Sequence, residues 1–335
     1  MTTIEPWTSA EWLAAATGWL DEQLAAAGRT RTGPVTQPHV RLWATALRAP
    51  TDAGPVWLKA PGSETAFEVP LYGLLAQAAP RWVLVPLAAD VERGWLLLPD
   101  GGTPLGEQVC ADDLPGALAE AIPHYAELQR DLSGNVAELL SFGLADMRPP
   151  ALPERLDQAL EAVGAYLGHH ATDDDREVLR RAAAARPLVE DWCDRLASGA
   201  VPASLDHHDL HAWNVLVTPG GTPRFYDWGD SVVAHPFTSM LVTLGFLRLQ
   251  HHRPDDDPGV RRVRDAYLEA FGDLGSRDEL VAELDLACRA GKVARVLVWL
   301  RGLRPQGFEN AEPFQRAPVQ ALAAILAESP FDLGA

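Results

Sequence analysis

His207-His208-Asp209-Leu210-His211-Ala212-Trp213-Asn214 is followed, thirteen residues beyond its last member, by Asp227-Trp228-Gly229-Asp230. The first segment is too rich in His, Asp and Asn for an ordinary helix or strand and reads as a loop. Val215-Leu216-Val217-Thr218 is a short apolar, β-branched run, Pro219-Gly220-Gly221-Thr222 is a turn cluster, and Arg224-Phe225-Tyr226 is a second short strand. A hairpin would set Asn214, at the start of one strand, beside Asp227, at the end of the other. An amide oxygen and a carboxylate then converge on one point. That donor set suits Mg²⁺, which takes oxygen ligands and is usually completed by phosphates and water.

Taken in order, H-x-D-x-x-x-x-N and D-x-G match the segments that hold base and metal in kinase-like phosphotransferases. Asp209 is then the candidate base. It would orient an incoming hydroxyl and take its proton late, a role worth roughly 10²–10⁴-fold in rate. Asn214 and Asp227 are the candidate metal ligands. His207 is expected to hold the loop and the D-x-G backbone by hydrogen bonds, or to be a satisfied semi-buried histidine. A second chemistry competes: His207, His208, Asp209 and His211 form a tight cluster of the kind that binds zinc or iron in metal-dependent hydrolases. That cluster lacks an H-E-x-x-H helix and nearby cysteines, and it leaves Asn214, the hairpin and the D-x-G unexplained.

Composition narrows the choice. The 335 residues exceed one typical domain, and 47% hydrophobic residues are ample for real cores. The formal charge of −18, from 28 basic and 46 acidic residues, argues against a nucleic-acid partner. Cys110, Cys193 and Cys288 are odd in number and widely spaced, which suits a reducing cytoplasm. Met1-Thr2-Thr3-Ile4-Glu5 does not begin a signal peptide, and no apolar run reaches the length of a membrane span. A cytoplasmic monomer or homodimer with no membrane partner is expected.

Along the chain, a small β-rich lobe precedes a helical one. Thr8 or Ser9 can cap a helix from about Ala10 to Ala27, which Gly28 ends. Strands are expected near Arg31–Thr36, Val40–Ala49, Pro55–Ala60, Trp82–Pro86 and Gly94–Leu98, and a helix over about Thr65–Ala78. After Asp113 the pattern is helical apart from the motif hairpin. Lys59 closes an apolar strand and is one of only two lysines in the chain, the other being Lys292. Its ammonium could reach the phosphates of a nucleotide, with Glu68 as its natural partner and Glu64, one turn away, as runner-up. Leu96–Gly102, which includes Leu98 and Asp100, would be the hinge where backbone groups bond an adenine edge.

With these parts in this order, the chain resembles the aminoglycoside phosphotransferase/choline kinase superfamily. The resemblance runs from Lys59 and Glu68 through the hinge and the His207–Asn214 loop to Asp227-Trp228-Gly229-Asp230 and His235-Pro236, and is strongest over Leu205–Phe237. It implies an α+β, bilobal protein-kinase-like fold: a small antiparallel-sheet N-lobe with a leading helix over residues 1–100, and a larger, mainly helical C-lobe over 101–335. It implies ATP or GTP with Mg²⁺, and transfer to a hydroxyl of a small amino-bearing or sugar-like acceptor. Asp209 would be the base, Asn214 and Asp227 the metal ligands and Lys59 the phosphate lysine. Two departures stand out. His208 occupies a position that is Gly in many relatives, and Thr36-Gln37-Pro38-His39 lacks a G-x-G-x-x-G loop. A nucleotide-binding pseudokinase is the remaining alternative. The acceptor pocket is expected between residues 155–196 and 237–327, with His211, Trp213 and Asp230 as wall groups. The Trp299–Arg304 stretch is a further wall candidate, although Trp299 itself reads mainly as helix core, and Glu309 is a further acidic candidate.

Overall fold

A computed structural model describes residues 5–217 and 221–334. The expectations for Met1–Ile4 and for the Thr218-Pro219-Gly220 part of the turn lie outside the described residues.

The chain opens with a short helix α1 (Glu5–Thr8) and then α2 (Ala10–Ala26), whose first turn is capped by Ser9 Oγ accepting from Trp12 N at 3.1 Å. Gly28, at φ +67°, ends it. Next comes a five-stranded antiparallel sheet, order β1-β2-β3-β5-β4, built from β1 (Thr36–Val40), β2 (Ala44–Ala49), β3 (Val56–Pro61), β4 (Ala88–Asp90) and β5 (Trp95–Pro99). Arg31, expected at a strand start, makes only an isolated bridge to Thr51, and Val40–Ala49 is split by the turn at Arg41–Trp43.

The two-residue period of β3 sorts its side chains. Val56, Leu58 and Ala60 are buried with Leu47, Ala49, Trp95 and Leu97 against Ala16, Trp19, Leu20 and Leu24 of α2. Those α2 residues recur at helical spacing, so one stripe covers one sheet face. Each large side chain buried this way contributes about 1.5–3 kcal/mol. The opposite face carries Trp57 and Lys59, registered against Leu98 and Leu96. Leu96 and Leu98 join a second core that runs through α3 (Glu68–Ala78) into the helical lobe. One short strand therefore faces its leading helix on one side and the cleft on the other.

Residues Trp82–Pro86 do not form the expected strand: Val83 makes an isolated bridge to Phe225. The region beyond Asp113 is less uniformly helical than its sequence pattern implies. After β6 (Thr103–Pro104) come α4 (Leu105–Gln108), α5 (Leu114–Leu132), α6 (Val136–Ser141), β7 (Ala145–Met147), α7 (Leu152–Leu167), α8 (Asp173–Ala184) and α9 (Arg186–Ala197). Then β8 (Ser204–Asp206), β9 (Val215–Val217), β10 (Pro223–Phe225) and β11 (Val232–Ala234) lead to α10 (Met240–His251), α11 (Pro258–Glu269), α12 (Arg277–Leu303) and α13 (Ala317–Ala324). The motif hairpin forms as expected, with Phe225 paired to Val215 and β6 added on its other side. The unexpected part is a second small sheet, order β7-β11-β8. Three-residue strands are too short to show a period.

The consequence is a clamp. β9 and β10 join the far end of the His207–Asn214 loop to the near end of the D-x-G segment. β8 and β11 join the other two ends, with Asp206 opposite Val232. Both loops are held at both ends by backbone ladders.

Candidate active site

Asp206 anchors the first loop. It is fully buried and accepts from His208 N at 2.9 Å, His208 Nδ1 at 3.0 Å, and the hydroxyls of Thr238 and Ser239 at 2.6 Å each. Burial opposes its ionisation, but the His208 imidazole and these donors hold its carboxyl below the usual range. His208 itself has φ +62°, in the left-handed region. That conformation explains why a glycine suits this position in relatives; here the bond to Asp206 holds the bulkier ring in it. Asp206 was not singled out from the sequence. Its only local signal is an acidic residue at the end of an apolar Val-Pro-Ala-Ser-Leu run.

His207 links the two loops. Its Nε2 donates to Tyr226 O at 2.9 Å, and its Nδ1 accepts from Asp209 N at 3.3 Å. Burial depresses its pKa, and a ring that must accept at Nδ1 is neutral. Asp209 and the residue before Asp227 are thus tied to one imidazole.

The Lys59 ammonium lies 2.6 Å from Glu68 Oε1 and 2.5 Å from Asp227 Oδ1, a partner 168 positions away in sequence. Glu68, not the exposed Glu64, is the partner of Lys59. Glu68 Oε1 also accepts from Trp228 N at 3.0 Å, which fixes the D-x-G backbone to α3. Asp227 has φ +65°, and its carboxylate is about half exposed to the cleft. Burial works against ionisation of Asp227, but the adjacent ammonium overcomes it and holds the carboxyl below its usual range. For Lys59 burial is again outweighed, by Asp227 and Glu68, and the ammonium stays charged at any physiological pH. For Glu68 burial wins and its pKa is raised. A lysine charge held between two carboxylates is well placed to meet phosphate oxygens.

Asn214 Nδ2 donates to Asp209 O at 2.8 Å and Asp209 Oδ2 at 3.2 Å. Both of those groups are acceptors, so the amide nitrogen must face them, and among the described residues no donor is bonded to the amide oxygen. Asn214 and Asp227 border the same cleft. An amide oxygen plus a carboxylate fits a hard divalent cation that takes oxygen ligands. His211 is drawn elsewhere: its ring stacks on Phe246 at 4.6 Å, Nδ1 accepts from Trp213 N, and Nε2 lies 3.4 Å from Asp209 Oδ2. His207, His208 and His211 bond to Tyr226, Asp206 and Trp213 respectively, and among the described residues their nitrogens and the Asp209 carboxylate do not converge on one metal position.

Two cavities meet at Lys59 and Asp227. The larger, about 550 Å³, lies under the sheet between Lys59, the hinge and the motif hairpin. Leu98 and Asp100 both border it. Asp100 shapes the hinge turn, accepting from Gly102 N at 2.9 Å and Trp57 Nε1 at 3.3 Å. The smaller, about 150 Å³, lies between Asp209, Asp230 and α12. Asp230 is where it was expected. Burial and the negative charge of Asp209 push its pKa up to about 6, against the opposing effect of Arg301.

Other wall groups are corrected. Trp213 borders the larger cleft, packed so closely on Gly106 that a Cβ there would meet the indole at 2.7 Å. His211 lines neither cavity. Glu309 lies instead beside His170, 3.6 Å away, and is exposed. Trp299 and Arg301, within the stretch expected to wall the acceptor pocket, border the smaller cavity. Residues the sequence did not reveal are Trp43 and Arg295. Trp43 sits in the β1–β2 turn, where no glycine-rich loop was found. Phe314 lies 5.8 Å from its ring and 5.5 Å from that of Trp299. The turn is further tied to the helical lobe by Gln306 Nε2 donating to Leu42 O at 3.2 Å.

Solved structures with the same overall fold include a macrolide 2′-phosphotransferase from Brachybacterium faecium, 18% identical, covering 93% of this chain and 97% of that one with a TM-score of 0.55. A choline/ethanolamine kinase family protein from Mesorhizobium loti is 19% identical, with 95% and 97% coverage and a TM-score of 0.59. An amicoumacin kinase in complex with AMP-PNP, Ca²⁺ and its antibiotic is 15% identical, with 97% and 99% coverage and a TM-score of 0.56. No curated protein sequence matches the chain. Residues 58–281, from the strand of Lys59 to the start of α12, match the phosphotransferase enzyme family, and the chain belongs to that family, within the aminoglycoside phosphotransferase/choline kinase superfamily.

Proposed function

We propose that this small-molecule kinase moves the γ-phosphate of ATP or GTP, with Mg²⁺, onto a hydroxyl of a small acceptor. The observation that carries this reading is the Lys59 ammonium held between Glu68 and Asp227 where the two cavities meet. The larger cleft takes the nucleotide, its base against Leu98 and the hinge. The smaller cavity takes the acceptor. The AMP-PNP bound by the amicoumacin kinase is consistent with a nucleotide in the larger cleft.

In this reading Asn214 and Asp227 would hold the magnesium, which when bound would offset the charge of the phosphates. Lys59 holds the phosphates from the sheet side. Asp209 Oδ accepts the hydrogen bond of the acceptor hydroxyl and aligns its oxygen with the γ-phosphorus. As the new O–P bond forms and the bond to the β–γ bridging oxygen breaks, the hydroxyl proton passes to Asp209. His207 keeps Asp209 in place through its backbone amide.

The test is ADP and GDP release with Mg²⁺ across a panel of hydroxyl-bearing acceptors, for wild type and Asp209→Asn. Acceptor-dependent release should vanish in the variant and on chelation of Mg²⁺, while nucleotide still binds to the variant. Wild-type turnover by Asp209→Asn would sink the proposal.

A further inference from the structure

Resting on that assignment of the smaller cavity, we infer that the acceptor carries, besides its hydroxyl, an anionic group held by Arg295 on α12. Four features of the cavity point there. First, Arg295 makes no hydrogen bond and no ion pair with any described residue, and its Nε is buried without a partner. Its guanidinium lies over the Trp299 ring, 5.7 Å away on the same helix face, and feels Asp209 and Asp230 only through space, without a hydrogen bond to either among the described residues. Second, the nearest carboxylates are already engaged: Asp209 takes Asn214, and Asp230 faces Arg301 at 3.8 Å. Third, Arg301 also leaves its Nε buried and unpartnered, while its Nη2 is spent on Gly229 O at 2.9 Å. Fourth, burial costs a guanidinium part of its hydration, and an unmade charged hydrogen bond in such a place is expensive. A planar carboxylate or a phosphate supplies the missing acceptors, and guanidinium is the group best shaped to grip either one by two parallel bonds.

The pocket is not uniformly basic. Asp230 is half exposed to it and stands ready for an ammonium on the same acceptor. Choline-like and aminoglycoside acceptors carry no anionic group to pair with Arg295. A hydroxy amino acid, a sugar acid or a sugar phosphate satisfies it.

The experiment uses matched acceptor pairs: a hydroxy amino acid against its amino alcohol, a sugar acid and a sugar phosphate against the neutral sugar, with choline and an aminoglycoside as purely cationic members. Nucleotide release is measured for wild type, Arg295→Met and Arg295→Lys, and nucleotide affinity is measured without acceptor. At least one anionic member should be used with a kcat/KM tenfold or more above its uncharged partner. Whether carboxylate or phosphate wins identifies the source of the anion. Arg295→Met should raise KM for that acceptor about ten- to a hundredfold, the size of a charged hydrogen bond, and erase the preference. Arg295→Lys should restore part of it, and nucleotide affinity should not change in either variant.

A preference for neutral or cationic partners overturns the inference, as does an unchanged KM in Arg295→Met. An equal fall in kcat for every acceptor overturns it too, because Arg295 then acts on the transferring phosphate. Nucleotide binding without turnover of any anionic member also overturns it, while leaving the nucleotide cleft standing. Failure of Asp209→Asn to abolish transfer would instead strike the underlying phosphotransfer reading.

Discussion

The larger cleft and the smaller cavity share Trp43, Ala44, Lys59 and Asp227, yet they are built in different ways. The larger cleft is framed by backbone ladders: the sheet above, and below it the three-stranded unit in which β6, just past the hinge, pairs with the motif hairpin. Asn214 in it is fixed by Asp209, five residues away, and the Asp100 turn by Gly102. The smaller cavity is walled by long side chains of α12, and its seam with the other lobe is the row Trp43, Phe314 and Trp299. A frame of ladders suits a ligand common to a family. A wall of side chains can change from chain to chain while the chemistry beside it stays the same.

Substitutions can break that division, and the largest effect belongs to the junction. Asp209→Asn keeps the volume and the bond from Asn214 but removes the base. It should cost roughly 10²–10⁴-fold in kcat, with nucleotide affinity unchanged by calorimetry. A kcat within tenfold of wild type would place the base elsewhere. Next in size, Lys59→Ala should weaken nucleotide binding about ten- to a hundredfold, the worth of charge-assisted bonds, and leave acceptor KM near wild type. If acceptor KM moves as much, the two cavities are not separable at Lys59.

Phe314→Ala should act on both cavities at once, because it opens the seam. Aromatic pairs are worth about 0.5–1.5 kcal/mol, so KM for nucleotide and acceptor should rise together, roughly two- to tenfold, with kcat little changed. A rise in acceptor KM alone would show that Trp43 does not help to close the larger cleft. The smallest effect is electrostatic. Asp230 ionises near pH 6 in the folded chain against a model-compound value of 3.8. Between those values the native state binds more protons than the unfolded one, so this group's contribution to stability falls as pH rises. The Tm of Asp230→Asn relative to wild type should therefore climb from about pH 4 to pH 7. A flat difference would mean that neither burial nor Asp209 raises the pKa of Asp230 in the folded chain.

The sequence was most legible where partners are close in the chain. The hairpin from Val215 to Phe225, the approach of Asn214 to Asp209, and the caps at the Asp runs all follow from local spacing. Asp175 closes a capping box with Thr172, and Asp257 caps α11. The two lysines show the limit. Both are largely buried, but Lys59 lies between two carboxylates, whereas Lys292 donates only to the carbonyls of Ala324 and Ser329 and is pushed down to about 8 by burial. Their rarity marked both; only their surroundings separate them.

The sequence by itself determined the catalytic chemistry: which residues carry oxygen, which carry charge, and how a turn and two short strands bring them together. It also determined that Lys59 faces away from Leu58, because a strand alternates. The tertiary structure alone decided what the acceptor meets. Trp213 borders the larger cleft and not the smaller cavity, and Arg295 and Trp43 went unseen. Their meeting depends on how α12 sits beside the β1–β2 turn, over separations such as the 264 positions between Leu42 and Gln306. No local period records such a distance. It is set by the packing of whole elements, in which each side chain's neighbours come from distant parts of the chain.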